Sequence, residues 1–131
     1  ILSYRLKKLK KIINLRRNNI ELYRKLIKTD KVKLPSQNKN YSDSYVIMVS
    51  QCEERNKLQK YLASKKIQTL IYYGNPLHLH RASRRLGYKK GDFKNAEKLT
   101  KKVLSFPHHQ YLKKNEIQFI SNQINKFYAY N

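Results

Sequence analysis

The 131-residue sequence predicts an α+β fold, with a small, few-stranded, mainly antiparallel sheet packed with helices and preceded by a long N-terminal helix. Three observations indicate this class. Apolar residues recur every three or four positions over residues 1–28 and 115–128, which is the spacing of amphipathic helices. Short apolar runs at residues 45–49, 67–72 and 103–106 have the length and composition of strands. The chain length fits one domain.

The predicted first helix, residues 1–28, carries one apolar stripe, formed by Leu2, Leu6, Leu9, Ile13, Ile20, Tyr23 and Ile27. A helix of this length measures about 42 Å, more than the core of so small a domain requires. We therefore expect residues 1–28 to form a long helix that packs on protein outside this chain. Residues 29–131 are expected to form a small domain, entered through a polar connector that Pro35 interrupts.

The middle of the chain alternates strand and helix. After the strand at residues 45–49, Ser50 and Glu53 have the spacing of a capping box, which predicts a helix start there. The strand at residues 67–72 ends at Gly74-Asn75-Pro76, because proline has no amide hydrogen to donate to a sheet. A further helix is expected from Asp92 or Lys94 onward.

The composition is strongly basic, with 30 Lys and Arg against 8 Asp and Glu, a formal net charge of +22. Such a charge is typical of proteins that bind nucleic acid or anionic surfaces. The excess is mostly lysine and accompanies abundant Asn, Ile and Tyr, residues that share A/T-rich codons. This pattern favours a solvated lysine-rich surface, and it leaves a basic nucleic-acid-binding module as an alternative.

Several features bear on the cellular location. The single cysteine, Cys52, has no partner within the chain for a disulfide, which indicates a reducing compartment. No run approaches the length of a membrane span, and Ile1-Leu2 is followed by lysines rather than by the apolar core of a secretion signal. We expect a cytoplasmic protein with no membrane partner. Because the chain begins with Ile1 rather than methionine, we also expect it to be part of a longer protein.

Residues in the second half resemble a known family. The matching residues are Tyr73, Pro76-Leu77-His78-Leu79, Leu86-Gly87-Tyr88, Gly91-Asp92-Phe93, Ala96-Glu97 and Leu104-Ser105-Phe106-Pro107. Their order and spacing are similar to those in the C-terminal region of DegT/StrS-type sugar aminotransferases. These enzymes are fold type I aminotransferases, and the region forms their small domain. Arg16-Arg17, Tyr23 and Leu26 resemble the family's helix between its two domains, so the resemblance covers nearly the whole chain.

This resemblance implies a cofactor, a substrate and an assembly. Enzymes of this type use pyridoxal phosphate to move an amino group, usually from glutamate, onto a keto-sugar nucleotide, and they work as homodimers. Their Schiff-base lysine and the acidic partner of the pyridine nitrogen lie in a large N-terminal domain, and no lysine here matches that motif. We therefore expect this chain to hold no catalytic residue and to be inactive alone. A non-catalytic remnant of a split gene is a further alternative.

The resemblance also implies three substrate-binding candidates. His78 falls in the family's Pro-Leu-His loop, where an imidazole can bond to a sugar hydroxyl or a phosphate oxygen; the alternative is a histidine that caps loop carbonyls. Tyr73 lines the same pocket or is an ordinary core tyrosine. Arg84, in a basic cluster with Arg81, Arg85, Lys89 and Lys90, either grips the nucleotide diphosphate or belongs to a solvated face.

No metal site is expected. His78, His80, His108, His109 and Cys52 fit no recognised zinc spacing. The chain also departs from the family pattern: Tyr72 stands where a histidine is usual, and Lys113 stands where a Ser or Thr cap precedes the last helix.

Overall fold

A computed structural model describes residues 2–36 and 40–130. In chain order its helices and strands are α1 (Leu2–Leu26), β1 (Val32–Lys33), β2 (Val49–Cys52), α2 (Arg55–Ser64), α3 (Lys94–Thr100), β3 (Val103–Ser105) and α4 (Lys114–Ala129). Two 3-10 helices, Leu77–Leu79 and Arg81–Leu86, lie between α2 and α3. The predicted α+β class, with its long first helix, is confirmed.

The strands form one antiparallel sheet in the order β1-β2-β3. Val49 and Gln51 of β2 lie opposite Ser105 and Val103 of β3. Leu70 adds a single bridge to β3, in which its amide donates to Ser105 at 3.1 Å and its carbonyl accepts from Ser105 at 2.8 Å. Strand β1 was not predicted, because it lies in what the sequence indicated to be a polar connector.

The predicted strand over residues 45–49 is wrong except for its last residue, because β2 begins at Val49. Tyr45 has a φ of 45°, a left-handed conformation that interrupts extended backbone. Tyr45 and Met48 are nevertheless buried in the core. The apolar run therefore reflects burial of these two side chains, whereas Val46 is exposed, and strand pairing starts only at Val49.

The predicted capping box is also wrong. Ser50 lies inside β2 with its hydroxyl buried, so it does not cap a helix. The residue before α2 is Glu54, which has a φ of 47° and makes no side-chain cap bond. The backbone turn at Glu54 thus starts α2 four residues later than a cap at Ser50 requires.

The predicted strand over residues 67–72 is reduced to the Leu70 bridge. The amide of Ile67 still donates to the carbonyl of Leu62 at 2.9 Å, so the end of α2 holds this residue. Lys66 adopts a φ of 61° on the same turn. Because these amides close the helix, they are not available to extend a ladder.

The helices pack around a core to which both long helices contribute. α1 lies against α4, and α2 contacts α4 and the strands β2 and β3. The side chain of Asn125 in α4 donates to the carbonyl of Leu26 at 2.8 Å and accepts from the amide of Lys28 at 2.9 Å, which satisfies the end of α1. At the start of α4, Glu116 accepts from the amide of Lys113 at 2.7 Å. The side-chain oxygen of Asn115 accepts from the amide of Glu116 at 3.0 Å, a bond that a Ser or Thr cap would otherwise make.

The first half of α1 extends beyond this core. Leu2, Leu6 and Leu9 are exposed, whereas Ile20 and Tyr23 on the same stripe are fully buried. The chain's described residues therefore leave part of the predicted apolar stripe uncovered. Among the helices that the structure describes, none is both long and apolar enough to cross a membrane.

Candidate functional site

An open groove of about 530 Å³ lies beside His78. We name it the His78 groove, and its lining consists of Leu77, His78, Ser83, Leu86, Tyr88, Phe93 and Ala96. Both chain segments that form it are fixed to β3, one through the Leu70 bridge and the other through α3, which runs directly into that strand. The groove is thus built from loops that a rigid element positions, which is where binding residues concentrate.

Proline and glycine set the path of these loops. Pro76, at a φ of −68°, precedes the 3-10 turn that carries His78. Gly87 ends the second 3-10 helix at a φ of 77°. Gly91 follows at 101°, and both values lie in a region that glycine adopts without steric cost.

Glu97 is the polar centre of the site. Its Oε1 accepts a hydrogen bond from the amide of Gly91 at 2.7 Å and lies 3.1 Å from Nε2 of His78. The Gly91 amide, followed by the His78 imidazole, lowers the pKa of the Glu97 carboxyl below its usual range. One carboxylate therefore ties together the 3-10 turn, the glycine loop and α3.

Aromatic rings cover the imidazole of His78, which is almost wholly buried. The ring of Phe93 lies 4.8 Å from it, centroid to centroid, and Tyr88 meets Phe93 edge-on at 5.0 Å. The hydrogen bond of the His78 ring runs through Nε2, and Nδ1 has no hydrogen-bond partner among the described residues. The alternative interpretation, in which His78 caps loop carbonyls, is wrong, because its partner is a carboxylate.

The other two candidates lie outside the groove lining. Tyr73 is 62% exposed, so the alternative of a core tyrosine is wrong. The side chain of Arg84 is exposed on the second 3-10 helix and has no bonding partner in the part of the chain that the structure describes. The structure therefore groups His78 with Glu97 and does not bring Tyr73 and Arg84 into the same lining.

The remaining histidines bond to backbone. His80 Nε2 lies 3.1 Å from the carbonyl of Asn75, and His108 Nε2 lies 3.0 Å from that of Arg16. Burial lowers the pKa of His108. Within residues 2–36 and 40–130, no three His, Cys, Asp or Glu side chains cluster closely enough to hold a metal ion.

The described residues do not form a pyridoxal phosphate site by themselves. Such a site needs a lysine held beside the cofactor, a carboxylate at the ring nitrogen and donors for the phosphate. Every lysine in the described ranges is exposed except Lys102, which is half-buried and paired with Glu53. The groove contains no lysine.

Glu97 was not predicted as a site residue from the sequence. It appears there only as a member of the family pattern, beside Ala96. Nothing in the spacing links it to His78, since the two residues are 19 positions apart. The available signal was an acidic residue in the first turn of α3, shortly after a glycine.

Comparison with known proteins identifies the family. The DegT/DnrJ/EryC1/StrS aminotransferase family matches residues 1–125. The chain belongs to this family. The expectation drawn from the residues in the second half is thereby confirmed.

Two curated relatives are similar to parts of the chain. A pleiotropic regulatory protein of Geobacillus stearothermophilus is 39% identical over 77 residues, 59% of this chain and 21% of the relative. The dTDP-3-amino-3,6-dideoxy-alpha-D-galactopyranose transaminase of Aneurinibacillus thermoaerophilus is 28% identical over 127 residues, 97% of this chain and 34% of the relative. The matched part of the chain therefore spans about a third or less of each of these proteins.

A solved structure extends the match to three dimensions. The DegT/DnrJ/EryC1/StrS aminotransferase from Brucella abortus superposes with a TM-score of 0.87 at 28% identity. The match covers 97% of the chain described here and 34% of the Brucella chain. The part matched is the C-terminal third of such aminotransferases.

Proposed function

We propose that this chain forms the C-terminal small domain of a pyridoxal-phosphate-dependent nucleotide-sugar aminotransferase, with residues 1–28 as its linking helix. The observation that carries the proposal is the family match over residues 1–125, together with a fold that superposes on a third of a sugar-aminotransferase-family enzyme. The cofactor and its lysine would belong to the large domain, outside this chain. The assembled enzyme would be a cytoplasmic homodimer.

The role proposed for this chain is substrate binding. The His78 groove offers apolar walls, including Leu77, Leu86 and Phe93, next to one imidazole. Ligand sites commonly combine such walls with a few placed polar groups that fix orientation. His78 would contact the sugar. Tyr73 and Arg84, which lie outside the groove lining, would contact other parts of the nucleotide sugar, with the guanidinium of Arg84 bound to phosphate oxygens.

Amino transfer by this chain alone is not expected. No buried lysine exists among the described residues, so pyridoxal phosphate should react only weakly, at scattered surface lysines. We expect the purified chain to trap less than one equivalent of cofactor after borohydride reduction, spread over many peptides. A single stoichiometrically labelled lysine, with turnover of an amino donor, would refute inactivity.

A chimera tests the positive part of the proposal. This chain would replace the aligned third of the Aneurinibacillus transaminase, to which 97% of it aligns. We expect the folded chimera to bind a nucleotide sugar, and His78→Ala to lower kcat/KM by a factor equivalent to about 1–3 kcal/mol. The matched control is His80→Ala, whose imidazole is exposed and bonds only to the Asn75 carbonyl. A folded chimera without nucleotide-sugar affinity would contradict the proposal.

A further inference from the structure

The contact between Glu97 and His78 restricts where the imidazole carries its hydrogen. An ionised carboxylate only accepts hydrogen bonds, so a bond at 3.1 Å to Oε1 requires a hydrogen on Nε2 of His78. In the neutral ring the other nitrogen, Nδ1, then keeps its lone pair. Nδ1 has no partner in the described part of the chain, and the His78 ring lines the groove.

We propose that Glu97 is a positioning residue: it holds the His78 imidazole in the Nε2–H form and leaves Nδ1 as the ring nitrogen that meets a ligand in the His78 groove. The assignment of the ligand as a sugar nucleotide rests on the proposed function, whereas the effect of Glu97 on the ring does not. Glu97 itself touches no ligand in this arrangement.

The surroundings of Glu97 make it suited to this role. Its Oε1 is also bound by the Gly91 amide at 2.7 Å, so the carboxylate is held from two sides. The residue lies in the first turn of α3, and α3 continues into β3. Phe93 packs on the imidazole at 4.8 Å, which limits rotation of the ring. A ligating histidine is oriented in the same way when its second nitrogen donates to a carboxylate.

The arrangement also defines the ligand chemistry. Neutral Nδ1 accepts a hydrogen bond, so the preferred group in the groove is a hydroxyl or another donor. The lining of the groove is mostly apolar, and it includes the exposed side chains of Leu77 and Leu86. A ligand that places one donor beside a carbon-rich face, as a sugar ring does, satisfies both features.

Nuclear magnetic resonance of the full chain tests the tautomer directly. Long-range correlations between ring protons and nitrogens in the ¹⁵N-labelled chain at pH 8 distinguish protonated from unprotonated nitrogens, and His78→Asn assigns the signals. We expect His78 to carry its hydrogen on Nε2. Glu97→Ala should give exchange between the two tautomers, and Glu97→Gln, whose amide oxygen also accepts, should restore the Nε2–H form.

His108 supplies an internal control. Its Nε2 donates to the carbonyl of Arg16 at 3.0 Å, so its Nε2–H form should persist in all Glu97 variants. A hydrogen on Nδ1 of His78 in the unmodified chain would overturn the proposal, whatever the variants show. An unchanged Nε2–H form in Glu97→Ala, with His108 also unchanged, would overturn it equally.

The chimera separates this inference from the proposed function. There, Glu97→Ala should lower kcat/KM, and the double variant with His78→Ala should cost no more than His78→Ala alone, because both act through one imidazole. Additive losses would overturn the positioning role. A chimera that binds no nucleotide sugar would count against the proposed function only, and the tautomer measurement would still decide the role of Glu97.

Discussion

The guanidinium of Arg55 donates through Nη1 to the carbonyl oxygen of Val103 at 2.9 Å, although the two residues are 48 positions apart. Its Nη2 donates to the carbonyl of Thr100 at 3.3 Å. Arg55 is the first residue of α2, and its two acceptors lie at the end of α3 and the start of β3. One buried side chain therefore joins α2 to the junction between α3, the helix that carries Glu97, and β3.

Substitution of Arg55 should destabilise the fold. In Arg55→Met the two carbonyls lose a charged donor, and we expect the free energy of unfolding to fall by about 2–4 kcal/mol, measured by urea denaturation. Lys57→Met is the matched control, because Lys57 lies on the same helix and pairs only with Glu54 at the surface. The control should change stability by about 0.5 kcal/mol or less. Equal effects of both variants would contradict a structural role for the Arg55 bonds.

Cys52 should be chemically inert in the folded chain. Burial raises the pKa of its thiol from 9.0 to about 12, and its side chain is 1% exposed. Since the thiolate is the reacting form, a shift of this size lowers its fraction about 1,000-fold at neutral pH. We expect iodoacetamide labelling to be slow in native buffer and fast in urea, as followed by mass spectrometry. Fast labelling under native conditions would show that the core around Cys52 opens.

The sequence predicts the helices of this fold better than its strands, because apolar spacing indicates which side chains are buried and does not indicate which backbones pair. The prediction of α4 from its apolar stripe is confirmed, because the stripe residues are buried at helical spacing: Ile117, Ile120, Ile124 and Phe127. The strand prediction for residues 45–49 failed because Tyr45 and Met48 enter the core from non-strand backbone, whereas Val46 is exposed and pairing begins only at Val49. Hydrophobicity indicates where a side chain goes, and it does not indicate which backbone groups form a ladder.

The candidate site shows a second limit. The sequence singled out His78 through the family pattern, and the structure places it in a groove. The contact between His78 and Glu97 forms next to two further features: the Gly91 amide, at a φ of 101°, binds Glu97, and Leu70 bridges to Ser105. Both features belong to the tertiary structure and leave no periodic pattern in the sequence. The sequence therefore does not show that the imidazole of His78 and the carboxylate of Glu97 are close in space.

Stability at low pH should depend on Glu97. Its folded-state pKa lies below the ordinary value of 4.5, chiefly because the Gly91 amide binds the carboxylate. A depressed carboxyl pKa contributes stability that is present above the unfolded-state value and is lost as pH falls through the folded-state value. We expect the stability difference between the unmodified chain and Glu97→Gln to be largest above about pH 4.5 and to shrink below it. Urea midpoints measured between pH 3 and pH 7 would check this.

A difference that stays constant over that range would show that Glu97 contributes through packing rather than through its charge. The two chains differ at one residue, so the contributions of the other carboxyl groups to the pH dependence of stability cancel in the difference. Glu53, whose pKa is lowered by its bond to Lys102, is present in both.

The basic surface should bind polyanions without sequence preference. The net charge is +22, and its exposed cations lie on separate surfaces, such as Lys7 and Lys8 on α1 and Arg84 and Arg85 on the second 3-10 helix. Attraction to phosphate that arises from such dispersed charge weakens steeply as salt displaces it. We expect weak binding to random DNA that falls with ionic strength, and discrimination of any defined site well below ~10³.

Two charge-reversal variants show whether the charge is dispersed. Lys7→Glu with Lys8→Glu changes α1, and Arg84→Glu with Arg85→Glu changes the second 3-10 helix, with the same net loss of four charges. Fluorescence anisotropy with labelled DNA should show similar weakening for both, because each removes the same share of a diffuse field. If one pair abolishes binding while the other has little effect, the charge forms a dedicated site, and the nucleic-acid-binding module would replace the solvated surface as the better interpretation of that patch.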